Sequence, residues 1–169
     1  YHSLGNHTEA LQIDFDSDVI GFEDVVELFW NNHNPLRNGI SRQYMAAVWY
    51  HDESQREIIE NTREIVARKF GAKVQTPVLP LEVFYLAEGY HQKYRLQQQS
   101  SLMKQFARMY SDASGFVDST AAARLNGFLY GYGSREMGLS GHGPRRVECR
   151  LRQSAGAELS EPGTEYLGR

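Results

Sequence analysis

The first part of the chain alternates between two hydrophobic periods. From residue 11 to residue 15, apolar and polar side chains alternate, which predicts a strand with one buried face. From Phe22 to His33 the apolar residues recur with helical spacing, and this predicts an amphipathic helix. The helix should end before Pro35, because the residue that precedes a proline is pushed out of the α region.

The same patterns predict further elements. They are a strand over residues 44–50, a long helix capped by Asp52 and Gln55 and closed by Gly71, an irregular edge strand or loop over 74–84, a helix from Leu86 to Tyr110, and a short helix within 119–133. This alternation predicts an α/β (α+β) fold, a two-layer sandwich of a mixed sheet with packed helices.

Three regions differ in composition. Residues 1–110 carry the clear patterns and are predicted to form the main domain. Residues 111–141 form a Gly- and Ala-rich extension in which one short helix is expected. Residues 142–169 show no sustained apolar period and are predicted to be a disordered tail.

Composition and charge exclude several classes of protein. The 169 residues are 41% hydrophobic and 23% charged, as in one soluble globular domain. The formal net charge of -3 provides no basic surface for a nucleic acid, and no apolar run reaches the roughly 18 residues of a membrane span. We therefore expect neither nucleic acid nor a membrane as a partner, and a cytoplasmic location.

Metal and disulfide chemistry are not expected either. The single cysteine, Cys149, excludes an intrachain disulfide and a metal site built from several cysteines. Glu88 and His91 form an E-x-x-H pair, but a metal site of that kind needs a second copy and further carboxylates. The sequence therefore predicts no resident metal or cofactor.

Glu9, Tyr44 and Tyr1 are the candidates for chemistry. Glu9 lies at the start of the first predicted strand. A carboxyl in such a position can be partly buried, stay protonated and donate a proton. The alternative is a solvated carboxylate at the end of a strand. The candidate helpers are His7, His33 and His91. Of these, His33 ends an apolar helical face, which favours a core histidine satisfied by a hydrogen bond.

Four motifs occur in one order and at specific spacings. They are GNHTE at residues 5–9, FWNNHNP at 29–35, QY at 43–44 and FYLAEGYHQKY at 84–94. With this combination the chain resembles the peptide methionine sulfoxide reductases of the A type, which reduce the S epimer. The resemblance runs from Tyr1 to about Tyr94.

The resemblance implies a fold, a reaction and a set of site residues. The family has a two-layer α/β sandwich fold. Its cysteine thiolate attacks the sulfoxide sulfur and becomes a sulfenic acid, a resolving thiol then forms a disulfide, and thioredoxin reduces it. By resemblance, Glu9 protonates the sulfoxide oxygen, and the hydroxyls of Tyr1 and Tyr44 hold that oxygen. The implied substrates are oxidised methionine-containing proteins or free methionine sulfoxide.

The sequence departs from the family at the thiols. The family's nucleophile lies in a G-C-F-W motif upstream of the position of Tyr1, and that motif does not occur in this sequence. We therefore expect an N-terminally truncated chain with an incomplete sheet, no nucleophile and no activity of its own, while the full-length protein is the enzyme. Cys149 lies outside the family's C-terminal G-Y-C-G motif, so we expect an incidental thiol rather than a resolving cysteine.

The oxygen-binding loop departs as well. The family's aspartate before the QY pair is missing, since Asn38, Gly39 and Ile40 occupy a shortened loop, and Met45 replaces the usual arginine. These differences support a second hypothesis. In it, the chain is a non-catalytic relative that binds methionine-containing proteins or another partner surface.

Overall fold

The computed structural model describes residues 8–37, 39, 41–132 and 150–157, the last of these by their backbone only. The strands are β1 (Thr8–Asp14), β2 (Val48–Tyr50), β3 (Val78–Pro80), β4 (Phe84–Leu86) and β5 (Arg150–Ala157). The helices are α1 (Phe22–Asn31), α2 (Glu53–Phe70), α3 (Tyr94–Gln97), α4 (Ser100–Met109), α5 (Ala113–Val117) and α6 (Thr120–Leu129), and a single 3₁₀ turn spans Arg42–Tyr44. The α/β class predicted from the alternation is confirmed.

β2, α2 and β3 form a β-α-β unit with parallel strands. The ladder pairs Val48–Tyr50 with Val78–Pro80. The strand predicted over 44–50 is therefore shorter than expected. Pro77 and Pro80 bound the partner strand and have no N–H with which to extend the ladder.

α2 begins and ends where its sequence predicts. The Asp52 carboxylate accepts a hydrogen bond from the Gln55 N–H at 2.8 Å, and the Gln55 side chain accepts from the His51 N–H at 2.9 Å. The predicted capping box is thus present with its return bond shifted by one residue. Gly71 ends the helix with φ 61°, in the left-handed region that glycine adopts without strain.

α1 packs on the β-α-β unit and shares one core with it. The buried members of this core are Val26, Trp30, Ile59 and Val74, and Val48, Tyr50 and Val78 of the strands pack against them. One buried hydrogen bond joins α1 and α2: the Trp30 indole N–H donates to Thr62 Oγ1 at 2.9 Å. The Thr62 hydroxyl in turn donates to the Ile59 carbonyl at 2.9 Å, so it acts both as an acceptor and as a donor.

β5 is the central strand of a second, antiparallel sheet in the order β1-β5-β4. Asp14 pairs with Arg150 and Thr8 with Ala157, so β5 runs along the whole of β1. The prediction of a disordered tail is wrong for Arg150–Ala157. Backbone N–H and C=O groups make the ladder, and two strand edges can therefore order a segment that lacks an apolar period. Residues 133–149 and 158–169 lie outside the described residues.

Residues 94–129 contain four helices around a second core, in which Leu96, Phe106 and Ala122 are buried. The helix predicted from Leu86 to Tyr110 is wrong at its start, since Leu86 ends β4 and α3 begins only at Tyr94. Lys93 has φ 52°, a left-handed conformation that a right-handed helix cannot include. The helical spacing of the apolar residues did not reveal this interruption.

The segment after residue 110 contains two described helices rather than the one expected. α6 lies within the predicted segment, and its cap, Ser119, accepts from the Ala122 N–H at 3.0 Å. α5 was missed. It begins at Asp112, whose carboxylate accepts from the Gly115 N–H at 2.7 Å; this bond holds the pKa of Asp112 below its usual range. A helix of five residues is too short to show a periodic pattern.

In the part of the chain that the structure describes, no helix combines the length and the apolar character that a bilayer crossing requires.

Replacement of Thr62 by valine tests the bond between α1 and α2. The new side chain keeps the shape but removes the acceptor of the buried Trp30 indole, so the free energy of unfolding should fall by about 1–3 kcal/mol. Urea denaturation of Thr62→Val, Trp30→Phe and the double variant measures this. The two losses should be less than additive, because both remove the same bond. Additive losses, or unchanged stability in Thr62→Val, would contradict the assignment.

Candidate functional site

Two side-chain hydrogen bonds hold the turn that carries Tyr44 against β1. Thr8 Oγ1 donates to the Arg42 carbonyl at 2.9 Å. Gln43 Nε2 donates to Oε1 of Glu9 at 3.1 Å. Consecutive residues of the strand thus bind consecutive residues of the turn, and Tyr44 follows directly. The structure therefore brings Glu9 and Tyr44, two of the predicted site residues, to one part of the surface.

The segment just before β3 fixes the loop at both ends. The Gln75 N–H donates to the Pro35 carbonyl at 2.8 Å, where the loop leaves α1. The Val48 N–H donates to the Pro77 carbonyl at 3.1 Å, where the loop enters β2. Pro35 is fully buried. The loop that presents Tyr44 is therefore anchored at its entry and at its exit.

His33 supports this anchor and is a structural histidine. Its Nδ1 lies 2.8 Å from the Phe29 carbonyl, which can only accept, so Nδ1 donates. Its Nε2 lies 2.9 Å from Thr76 Oγ1 and, in the neutral ring, accepts from that hydroxyl. The ring also packs on Phe29, with centroids 4.4 Å apart. Both ring nitrogens are engaged, as expected for a histidine satisfied by hydrogen bonds, and the side chain is half-buried rather than fully in the core.

Glu9 and Tyr44 are both exposed to solvent. Tyr44 keeps 64% of its accessible surface, and Glu9 is exposed rather than partly buried as its proposed role predicted. The cause is the alternation of the strand: Thr8 points inward and is fully buried, so its neighbour points outward. In the described part of the chain, Glu9 therefore occupies the solvated position that was the alternative interpretation.

Glu9 and Gln43 bring a carboxyl and a carboxamide together, and Tyr44, which follows Gln43 in the chain, carries a phenol. The amide N–H and the phenolic O–H are neutral donors, and the carboxyl becomes a donor when it is protonated. Oε1 of Glu9 already accepts from Gln43, while no described residue donates to Oε2. The fold is that of an α/β protein, in which Glu9 and Gln43 form a hydrogen-bonded pair next in sequence to Tyr44.

Other predicted residues contribute nothing to this site in the described structure. His91 Nε2 lies 3.8 Å from an oxygen of Glu88, on an exposed turn. Among the described residues, no three His, Cys, Asp or Glu side chains are placed to hold a metal ion together. The predictions for Tyr1, His7, Asn38, Ile40 and Cys149 lie outside the described residues.

The roles of Thr8 and Gln43 are not evident from the sequence. Gln43 belongs to the QY motif, but its bond to Glu9 joins residues 34 positions apart. Thr8 is a polar residue at the start of a strand, whereas Leu11, assigned to the buried face, is 53% exposed. An alternating pattern identifies two faces of a strand and does not say which of them other elements cover.

Comparison with known proteins identifies the family. The model of the family described as "Peptide methionine sulfoxide reductase" matches residues 2–124. The peptide methionine sulfoxide reductase of Drosophila melanogaster is 39% identical over 138 residues, 80% of this chain and 55% of that protein. The MsrA protein of Saccharolobus solfataricus is 40% identical over 90 residues, 50% of this chain and 51% of that protein. The MsrA protein of Methanothermobacter thermautotrophicus is 37% identical over 98 residues, which are 54% of this chain and 58% of that protein.

The chain belongs to the peptide methionine sulfoxide reductase family, of the A type that its motifs indicated. The match extends into α6, well beyond Tyr94, the last residue of those motifs. The chain spans about half the length of the curated relatives it matches.

Replacement of Thr8 by valine tests whether β1 holds the turn. Valine keeps the shape of the side chain but lacks the hydroxyl that donates to the Arg42 carbonyl. The loss of this hydrogen bond should destabilise the turn by about 0.5–1.5 kcal/mol. Amide exchange of Tyr44, whose N–H donates to the Ser41 carbonyl, should then be about 2- to 10-fold faster. NMR-detected exchange measures it.

Two controls accompany this measurement. The Val48 amide, bonded to Pro77, should keep its rate, and Thr120→Val, at the start of α6, should leave Tyr44 unchanged. An unaltered Tyr44 rate in Thr8→Val would show that other contacts hold the turn.

Proposed function

We propose that the protein represented by this chain reduces methionine (S)-sulfoxide to methionine, in oxidised proteins or as the free amino acid. Within it, this chain supplies groups that recognise the sulfoxide oxygen. The observation that carries the proposal is the hydrogen-bonded pair of Glu9 and Gln43 beside Tyr44, in a chain of this family.

The proposed reaction uses thiols as the source of electrons. A thiolate attacks the protonated sulfoxide at sulfur, the S–O bond breaks, and the hydroxyl passes to the cysteine as a sulfenic acid, which leaves the methionine sulfur reduced. A second thiol attacks the sulfenic sulfur, water leaves and a disulfide forms. Thioredoxin then reduces the disulfide by exchange. Such a cycle requires no resident metal, and it suits a reducing compartment such as the cytoplasm.

Gln43 determines which oxygen of Glu9 can act as the proton donor. Its N–H points at Oε1, so Oε1 must accept, and the protonated acid carries its proton on Oε2. We propose that Oε2–H protonates the sulfoxide oxygen and that the Tyr44 hydroxyl donates to the same oxygen. By resemblance to the family, Tyr1 supplies the second phenol.

We propose that Cys149 is an incidental thiol and not the nucleophile of this site. It stands outside any match to the family's C-terminal G-Y-C-G motif, and nothing near it in the sequence has the pattern expected of a reactive cysteine.

The chain by itself should therefore reduce no sulfoxide. The chain is incubated with an equimolar amount of N-acetyl-methionine (S)-sulfoxide amide in the presence of dithiothreitol. Chromatography then follows the formation of the methionine product. The rate should equal that of Cys149→Ser, because oxygen recognition without a suitably placed thiolate completes no reaction. One equivalent of methionine per chain, lost in Cys149→Ser, would overturn this expectation.

The alternative function is non-catalytic binding of methionine-containing partners, and the exposure of Glu9 is the observation that favours it. The two functions differ in whether the chain prefers a methionine sulfoxide peptide to a methionine peptide. NMR titrations that follow the Gln43 and Tyr44 amide signals measure the affinity for each peptide. Tyr44→Phe should weaken sulfoxide binding by about 2- to 10-fold, the effect of one hydrogen bond. Tyr132→Phe is the matched control, because Tyr132 is also largely exposed, at 71% against 64% for Tyr44, and is not part of this site. Equal affinity for both peptides would favour the alternative.

A further inference from the structure

Gly39 lies against the peptide group that joins Tyr44 to Met45. A Cβ built on Gly39 would lie 2.6 Å from Met45 Cα, 2.7 Å from the Tyr44 carbonyl oxygen and 3.0 Å from Met45 N. All three are backbone atoms, so no rotation of a side chain could relieve the overlap. The position therefore accepts no side chain while the loop keeps its path.

Gly39 must lack a side chain because neighbouring backbone atoms occupy the place of a Cβ. The other described glycines are not under this constraint. A Cβ on Gly89 or Gly127 would meet nothing within 4 Å. On Gly21 or Gly115 its close neighbours would be side-chain atoms, which can move. Among the glycines of the described residues 8–132, Gly39 alone is pressed against main chain.

We propose that Gly39 is a positioning residue for sulfoxide recognition. Its close approach to the Tyr44–Met45 peptide sets the direction in which Tyr44 presents its hydroxyl. This inference rests on the proposed function, and it concerns a residue that does not itself touch the substrate.

The contact completes a set of backbone restraints on Tyr44. The Tyr44 N–H donates to the Ser41 carbonyl at 3.2 Å, Thr8 holds the Arg42 carbonyl, and Gly39 packs on the peptide that follows. The Tyr44 side chain is largely exposed, so packing of the ring does little to hold it. The direction of its Cα–Cβ bond therefore comes from the main chain.

The restraint also bears on the altered loop. By the resemblance to the family, Asn38, Gly39 and Ile40 stand where an aspartate precedes the QY pair. A contact between two stretches of main chain needs no carboxylate side chain. Gly39 thus provides a means of orienting Tyr44 in a loop that lacks the aspartate.

Gly39→Ala is the test, and Gly89→Ala is its matched control, since both changes add one methyl group. N-acetyl-methionine (S)-sulfoxide amide is titrated into each full chain and followed by NMR. Gly39→Ala should shift the Tyr44 and Met45 amide signals and weaken sulfoxide binding by about 3- to 10-fold, the range of one lost hydrogen bond. Gly89→Ala should bind like the unsubstituted chain. Unchanged signals and affinity in Gly39→Ala would overturn the proposal.

A double-mutant cycle separates positioning from a general structural role. In a Tyr44→Phe background, Gly39→Ala should cause no further loss of sulfoxide affinity, because the hydroxyl that it orients is already gone. A loss of the same size in both backgrounds would show that Gly39 acts independently of Tyr44 and would overturn the proposal.

A measurement on the unsubstituted chain keeps the inference testable if Gly39→Ala does not fold. The contact requires a nuclear Overhauser effect between an Hα proton of Gly39 and the Hα or amide proton of Met45, since the heavy atoms are this close, and the absence of both effects would overturn the inference. If the unsubstituted chain does not distinguish sulfoxide from methionine, the proposed function fails. The Overhauser effect and the Tyr44 signals then still decide whether Gly39 sets the position of Tyr44.

Discussion

The parallel pairing of β2 with β3 is the constraint on which the site depends. Because the strands are parallel and in register, the chain just before β3 must run beside the chain just before β2. Pro77 consequently accepts from the Val48 N–H where the loop that carries Tyr44 enters β2. Two residues earlier, the Gln75 N–H donates to the Pro35 carbonyl, where the same loop leaves α1. The β-α-β unit and the segment that leads into β3 thus act as a scaffold for the loop that presents Tyr44.

On this anchored loop, the site is divided between two elements. β1 supplies the carboxyl of Glu9, and the 3₁₀ turn supplies the amide of Gln43 and the phenol of Tyr44. Buried or main-chain groups hold these exposed side chains: Thr8 binds the turn, and Gly39 packs on the peptide after Tyr44. The described residues therefore provide directed donors, whereas an enclosed, low-dielectric setting would have to come from elsewhere in the protein or from the substrate.

Sequence reasoning succeeded where the determining contacts are local. The start of α2 depends on Asp52 and Gln55, three residues apart, and its end depends on the conformational freedom of Gly71. It failed where a distant partner decides the outcome. β5 lacks an apolar period, yet the backbone edges of β1 and β4 order it as a central strand. Lys93, a left-handed residue, stands directly before α3, and residues 87–93 are not helical, although the apolar spacing predicts a helix from Leu86.

The sequence by itself determined the α/β class and the capped helix α2, because short-range periodicity and capping residues carry that information. The spacing of its motifs indicated the family and made Glu9 and Tyr44 candidate site residues. Only the tertiary structure decided that Glu9 is exposed while Thr8 is buried, and that Gln43 is the partner of Glu9. It also decided that Gly39 must lack a side chain. These features depend on which segments meet in space. One linear pattern is compatible with either face of a strand being covered, and the packing of distant elements selects between them.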